Sequence, residues 1–307
     1  MELLKKLCSI HATSGNESAM KQFVLSYVNR EQSKWKKKPV VLHGDGFQDC
    51  VILLFGKPRA AVYAHMDSIG FTVRYGRELL KIGGPKCEEG YKLTGQDAKG
   101  KITCELLPIE SEDGRVKLEY VHTRQIERGT TLVFKQNWKE SKDYIQSCYL
   151  DNRLGVWNAL KLCETLSDGA IVFTTYEEHG GGMAGYLAKY LFEKYGILQA
   201  LISDISWITE GVHPGKGPVI TIRDGSIPRK VYVDKIMALA KKSKVSFQPE
   251  VEGTGGSDGT AIQISDTPVD WSFVGSPIQH VHTPNEKVHK KDVAGALALY
   301  QYLMKNL

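Results

Sequence analysis

The chain has no run of about 18 apolar residues, so no segment is long and apolar enough to cross a bilayer as a helix. Its six cysteines, Cys8, Cys50, Cys87, Cys104, Cys148 and Cys163, form no CxxC pair and no zinc-finger spacing. That excludes a disulfide frame built on close pairs and points to reduced thiols in a cytoplasmic protein. The first residues, MELLKKLCSIHATSGNE, lack an apolar stretch before a small-residue cleavage site, so no signal peptide is expected. A basic surface is missing too. The net charge of +5 is spread along the sequence, and only SKWKKKP at 33–39 and the lysines at 241–242 are locally basic. No aromatic-interleaved basic stripe accompanies them, which argues against nucleic acid as a partner. Internal repeats and low-complexity segments are also absent.

What is present is the balance of a folded chain. Hydrophobic residues make up 42% and charged ones 24%, and 307 residues suffice for one sizeable core plus a smaller module. Ser14 with Glu17 three residues on reads as a helix start before MKQFVLSYVNR. CVILLFG (50–56) and AAVYAH (60–65) read as buried strands. Residues 68–147 change character: short β-like pieces such as GFTVRYG, GKITCELL and GTTLVFK stand between glycines, as in a small all-β module. LDNRLGVWNALKLCETL (150–166) then carries a helical apolar face, and from there strands and helices alternate to a C-terminal helix from about 290. This predicts an α/β catalytic domain with helices on both faces of its sheet, made of residues 1–67 and 148–307 and interrupted by a β domain at 68–147.

In open α/β sheets, ligands bind beyond the carboxyl ends of the strands. AVYAH delivers His65 and, two residues on, Asp67. The helix at 150 starts with Asp151. AIVFTTY delivers Glu177 and Glu178, LQALISD delivers Asp204, and the strand in PVDWSFVGSPIQHVHTPNE is followed by His280 and His282. Each feature alone has a bland explanation: a surface histidine, an N-cap aspartate, a solvated glutamate pair. Together they gather imidazoles and carboxylates on one rim, the ligand set of a zinc or cobalt site, in which an aspartate can bridge two ions. Without cations, such a rim would concentrate negative charge at a severe electrostatic cost. Asp67 has the spacing of a carboxylate that fixes the tautomer of a metal-binding His65.

HMDSIGF, LDNRLG, TYEEHGG, ISD and HVHTPNE, in this order, resemble the dinuclear metallo-aminopeptidases of the glutamyl aminopeptidase and tetrahedral (TET) aminopeptidase family. The resemblance spans essentially the whole chain, including TSGNE near the start and GGSDGTAIQ at 255–263. The interval between Asp67 and Asp151 leaves room for a β module between the first two ligands, whereas the carboxypeptidase and deacylase relatives carry their extra domain between the last two. The resemblance implies a mixed-sheet zinc-peptidase fold of the phosphorylase/hydrolase-like kind with an inserted PDZ-like, barrel-like β domain. It also implies two divalent ions, zinc or cobalt with manganese as a further candidate. His65 and Asp204 would hold one, Glu178 and His282 the other, with Asp151 bridging. Asp67 would orient His65, and Glu177 would act as general base on a metal-bridged water. The implied substrates are peptides with a free N-terminus, and the implied assembly is a homo-oligomer, a dimer building toward a larger particle through the insert.

Ser68 stands where the family usually has an acidic residue, and HGGGMAGY replaces its valine-glycine pattern after the glutamates. His280 has no assigned role. The glycine-rich segment 253–260, with Asp258, reads either as a plain turn or as a shaper of the substrate pocket. Three alternatives stay open on sequence: a metal-dependent carboxypeptidase or deacylase of the same architecture, a glycosidase, and a non-catalytic homologue. Some relatives are named cellulases, but a glycosidase needs only its two acids about 5–9.5 Å apart, not His65, Asp204 and His282.

Overall fold

The computed structural model describes residues 1–110 and 114–307. The chain opens with α1 (Glu2–Cys8), α2 (Ser18–Glu31), β1 (Val40–Leu42), β2 (Val51–Phe55) and β3 (Ala61–His65). Short strands follow: β4 (Gly70–Val73), β5 (Glu78–Ile82), β6 (Lys92–Asp97), β7 (Gly100–Glu110), β8 (Val116–Val121), β9 (Thr131–Phe134), β10 (Lys139–Glu140) and β11 (Tyr144–Gln146). Then come α3 (Leu150–Leu162), β12 (Gly169–Thr174), α4 (Ala184–Tyr195), β13 (Gln199–Trp207), β14 (Val219–Arg223), α5 (Lys230–Ser243) and β15 (Gln248–Val251). The chain closes with α6 (Asp258–Ile264), β16 (Asp270–Gln279), β17 (Lys287–His289) and α7 (Lys290–Asn306).

An 11-stranded mixed sheet runs in the order β1-β2-β12-β3-β13-β16-β17-β11-β10, with β14 beside β16 and β15 outside β14. Its centre, β12-β3-β13-β16, is parallel. Every residue of β3 is buried, and its side chains alternate between two cores. Val62 and Ala64 pack with Leu154 and Leu160 of α3 and Leu299 and Leu303 of α7. Ala61 and Tyr63 pack on the other face with Leu187 and Leu191 of α4. Sharing both faces between helices is what lets so apolar a strand sit in the middle of the sheet.

The interrupting segment closes a barrel, β4-β5-β8-β7-β6-β9, around Phe71, Leu93, Leu106, Leu132 and Phe134. In β7 the alternation is plain: Ile102, Cys104 and Leu106 point in while the residues between them are exposed. The pieces at 139–146, which the sequence reading groups with this module, pair instead with the large sheet, β11 lying antiparallel to β17. At two and three residues they carry no pattern that says which sheet they join.

Two local expectations change. Ser14 and Glu17 do not form a capping box: α2 starts at Ser18 with Glu17 as its N-cap and no side-chain cap. Their side chains serve other partners, described below. The glycine-rich segment, read as a turn, ends in α6, where Ser257 accepts from Gly259 N and forms a capping box with Thr260. A Cβ at Gly259 would lie 2.4 Å from the Trp271 ring, so only glycine lets α6 lie against β16.

Candidate metal centre

β12 and β3 run parallel in a register that sets Thr174 beside His65, so the segments beyond both strands leave the sheet at one place. Past β12, Tyr176 takes a left-handed conformation and Glu177–His179 form a single 3-10 turn. That turn breaks strand alternation, and both glutamates line one cavity with His65, Asp151, Asp204 and His282. Gly180, Gly181 and Gly182, with φ of 82°, 140° and 49°, then carry the chain away from it through backbone that other residues rarely adopt.

The geometry centres on Asp151, at the start of α3. Its Oδ1 is 3.3 Å from His65 Nε2 and its Oδ2 is 3.2 Å from His282 Nε2. Asp204 Oδ2 lies 3.5 Å from His65 Nε2, and Glu178 Oε2 lies 3.3 Å from His282 Nε2. Glu177 Oε2 stands 3.8 Å from His65 Nε2. The site is thus two imidazole–carboxylate pairs joined by one aspartate, with a further carboxylate at its edge. Ligand atoms of His65, Asp151 and Glu178 all come within 4.8 Å of one another.

Burial dominates the electrostatics. It would raise the Asp151 carboxyl, but the His282 and His65 rings outweigh it and hold that carboxyl well below the usual range. Burial pushes Glu178 up to about 7, with the Asp151 charge adding to the shift. Glu177 is pushed well above the ordinary carboxylate range by burial and by Asp204 and Glu178. His282 is drawn up to about 11, because Asp151 and Glu178 outweigh the burial that opposes its charge. Two imidazoles and four carboxylates are crowded into one cavity that no lysine or arginine lines. His65 Nδ1 and Glu178 Oε1 are buried without a hydrogen-bond partner. This donor set fits divalent cations of the zinc, cobalt or manganese type.

Asp67 lies fully buried behind the cluster. Its Oδ1 is 3.4 Å from His65 Nδ1, a contact without hydrogen-bond alignment. It also pins the glutamate turn: Oδ1 accepts from Glu177 N (3.1 Å) and Oδ2 from Glu178 N (3.0 Å). Three supporting residues escape the sequence reading. Ser14 Oγ donates to Asp67 Oδ2 at 2.6 Å. Glu17, 1% exposed, accepts from Gly15 N and Tyr176 N. Glu286 accepts from His282 N with Oε1 and from Asp151 N with Oε2, tying two corners of the cluster together. Ser14 and Glu17 lie in TSGNE and Glu286 in HVHTPNE, so the motifs that carry the resemblance held the signal. Arg153 donates to the carbonyls of Met66 and Asp67, which steadies the strand end. His280 is exposed and does not line the cavity. Asp258 is buried at the start of α6, its Oδ2 accepting from Thr174 Oγ1, and it faces an adjoining cavity shared with Glu177.

An α/β sheet with an imidazole–carboxylate cluster beyond its parallel strands defines a class, the α/β proteins equipped to hold divalent metal. Within that class, the model of the M42 glutamyl aminopeptidase family matches residues 113–299, more than half of the chain. The chain belongs to this family. A putative aminopeptidase of Acetivibrio thermocellus is 25% identical over 97% of this chain and 96% of its own length. The archaeal aminopeptidase APDkam598 of Desulfurococcus kamchatkensis superposes with a TM-score of 0.85 at 22% identity, over 100% of this chain and 94% of that one. The TET1 peptidase of Pyrococcus horikoshii, described as assembling into a tetrahedron or a large octahedral shell, gives 0.80 at 22% identity over 98% of both chains.

Proposed function

We propose that the chain is a dinuclear metallo-aminopeptidase that removes N-terminal residues from peptides. The observation that carries the reading is Asp151, whose two oxygens each face a different imidazole, as a bridging ligand requires. His65 and Asp204 would hold one cation, Glu178 and His282 the other. Two such cations, when bound, supply Lewis-acid polarisation of a peptide carbonyl and acidify water. Glu177 is the general base: its carboxylate takes the proton of the attacking water and hands it to the leaving amine. Asp67 fixes the His65 ring and, through the Glu177 and Glu178 amides, the position of the base relative to its neighbour. The carboxylates of the cluster receive the free α-ammonium of the substrate, which would confine attack to the first residue.

The closed barrel, exposing Tyr75, Leu80, Val116 and Val121, is assigned as the oligomerisation module of a homo-oligomer. The unpaired cysteines agree with a reducing, cytoplasmic setting, and among the described residues no helix is long and apolar enough to cross a membrane.

Paired variants test the division of labour. Glu177→Gln should keep its metal by elemental analysis and lose about 10²–10⁴ in kcat. Glu178→Gln should lose metal as well. Near-normal turnover in Glu177→Gln would remove it as the base. Assaying N-terminally blocked against free peptides separates this reading from a deacylase or carboxypeptidase.

A further inference from the structure

The cavity, of about 240 Å³, does not end at the metal ligands. It continues along β13 past Asp204 to Ser206 and Trp207, and its far wall comes from β14 and β15. There Thr221 is paired with Glu250 across the strands. Glu250 is 6% exposed, and both carboxylate oxygens accept hydroxyl protons, Oε1 from Ser206 and Oε2 from Thr221 at 2.5 Å. Burial raises the Glu250 carboxyl, and the Ser206 and Thr221 hydroxyls oppose that shift by stabilising its charged form. Asp224, 8% exposed, and Glu252 line the same wall.

Arg223 acts on the Asp224 carboxyl through space, against the burial that raises it, but no cation sits in the cavity itself. No lysine or arginine lines the cavity, and none of the ion pairs among the described residues involves Glu250, Asp224 or Glu252. Arg223, the nearest candidate by sequence, donates to the Asp224 carbonyl oxygen instead of a carboxylate. Three carboxylates crowded on one wall repel one another, and a ligand that brings positive charge there relieves that repulsion. Glu178 Oε1, at the metal end of the same cavity, is buried and unpartnered. Ser206 stands two residues beyond Asp204 on one strand, a rise of about 6–7 Å. The four-carbon stem of a lysine, or an arginine, has the length for that interval. Phe273 and the ring of Trp207, which line the same cavity, offer apolar wall to the stem.

We propose that this extension is a specificity pocket for a cationic side chain, with Glu250 at its base and Asp224 and Glu252 on its wall, so that the preferred substrates carry lysine or arginine at the N-terminus. The proposal rests on the aminopeptidase reading of the adjoining cluster.

The test uses the metal-loaded protein and coumarin amides of lysine, arginine, leucine, methionine and glutamate. The pocket predicts kcat/KM for lysine or arginine at least tenfold above leucine and glutamate. It also predicts that Glu250→Gln lowers the lysine-to-leucine ratio at least tenfold. If that variant is misfolded by circular dichroism, Asp224→Asn and Glu252→Gln carry the same comparison. A preference for leucine or glutamate, or a ratio that none of the three variants moves, overturns the pocket. Calorimetry with lysinamide and leucinamide keeps the two readings apart. Should no amide be cleaved, tighter binding of lysinamide that weakens in Glu250→Gln upholds the pocket and defeats the aminopeptidase reading. Equal or no binding defeats the pocket.

Discussion

Asp67 accepts from Ser14 Oγ, Glu177 N and Glu178 N, so one side chain pins the turn that presents two glutamates while lying against His65 Nδ1. Burial alone would raise its carboxyl; the His65 ring and these donors hold it below the ordinary range. Ser14 therefore acts through Asp67. Removing its hydroxyl in Ser14→Ala should cost roughly 10–100-fold in metal affinity or activity, the usual effect of a support behind a ligand, while leaving the fold intact. Metal titration of the variant checks this, and unchanged affinity would return Ser14 to the status of a loop residue. The candidate ligands were legible because the sequence sets each beside an apolar run or at a helix start, where the residue type is incongruous, although β13 runs on past Asp204 to Trp207. The supports were not. Glu17 meets Tyr176 and Ser14 meets Asp67 across long stretches of sequence, and short-range patterns read Ser14 and Glu17 as a helix cap instead.

At the level of elements, α3 carries Asp151 and β13 carries Asp204, and a glycine sets how closely they approach. A Cβ on Gly155 would stand 2.0 Å from Ser203 O. Gly155→Ala should force the helix off the strand, destabilise the fold by about 1–3 kcal/mol or more, and loosen the metal site with it. Denaturant midpoints together with metal content would show both effects; a stable variant with full metal would mean the approach is not limiting. The barrel offers a pH-dependent prediction. The Arg124 guanidinium, bonded to both Asp97 oxygens at 2.6 and 2.8 Å, holds that carboxyl down at about 2. A carboxyl depressed in the folded state adds stability above its unfolded pKa of about 4, and loses it as pH falls toward the folded value. Asp97→Asn should melt lower than the parent at pH 7, with the gap narrowing below about pH 4. A gap independent of pH would rule out the charge as its cause. Strand–helix alternation made the α/β sheet readable, and glycine-punctuated short strands made the β insert readable. Closure into a barrel and the return of β10 and β11 to the large sheet are pairings between distant segments, which periodicity does not encode.

For the molecule as a whole, the mixed sheet and the closed barrel have the fold that the ordered motifs imply, and the family match agrees with it. The account stands on one claim, that the imidazole–carboxylate cluster works with divalent metal. A cluster in which His65 Nδ1 and Glu178 Oε1 lack partners gains from a ligand that binds only the folded state, so metal should also raise the melting temperature. The most direct measurement follows hydrolysis of a panel of aminoacyl chromogenic amides, with elemental analysis, before chelation, after it, and after adding back zinc, cobalt or manganese. The prediction is metal bound at the start, activity lost on chelation, and activity restored by at least one of the three ions. Hydrolysis that continues unchanged in metal-free protein would contradict the account.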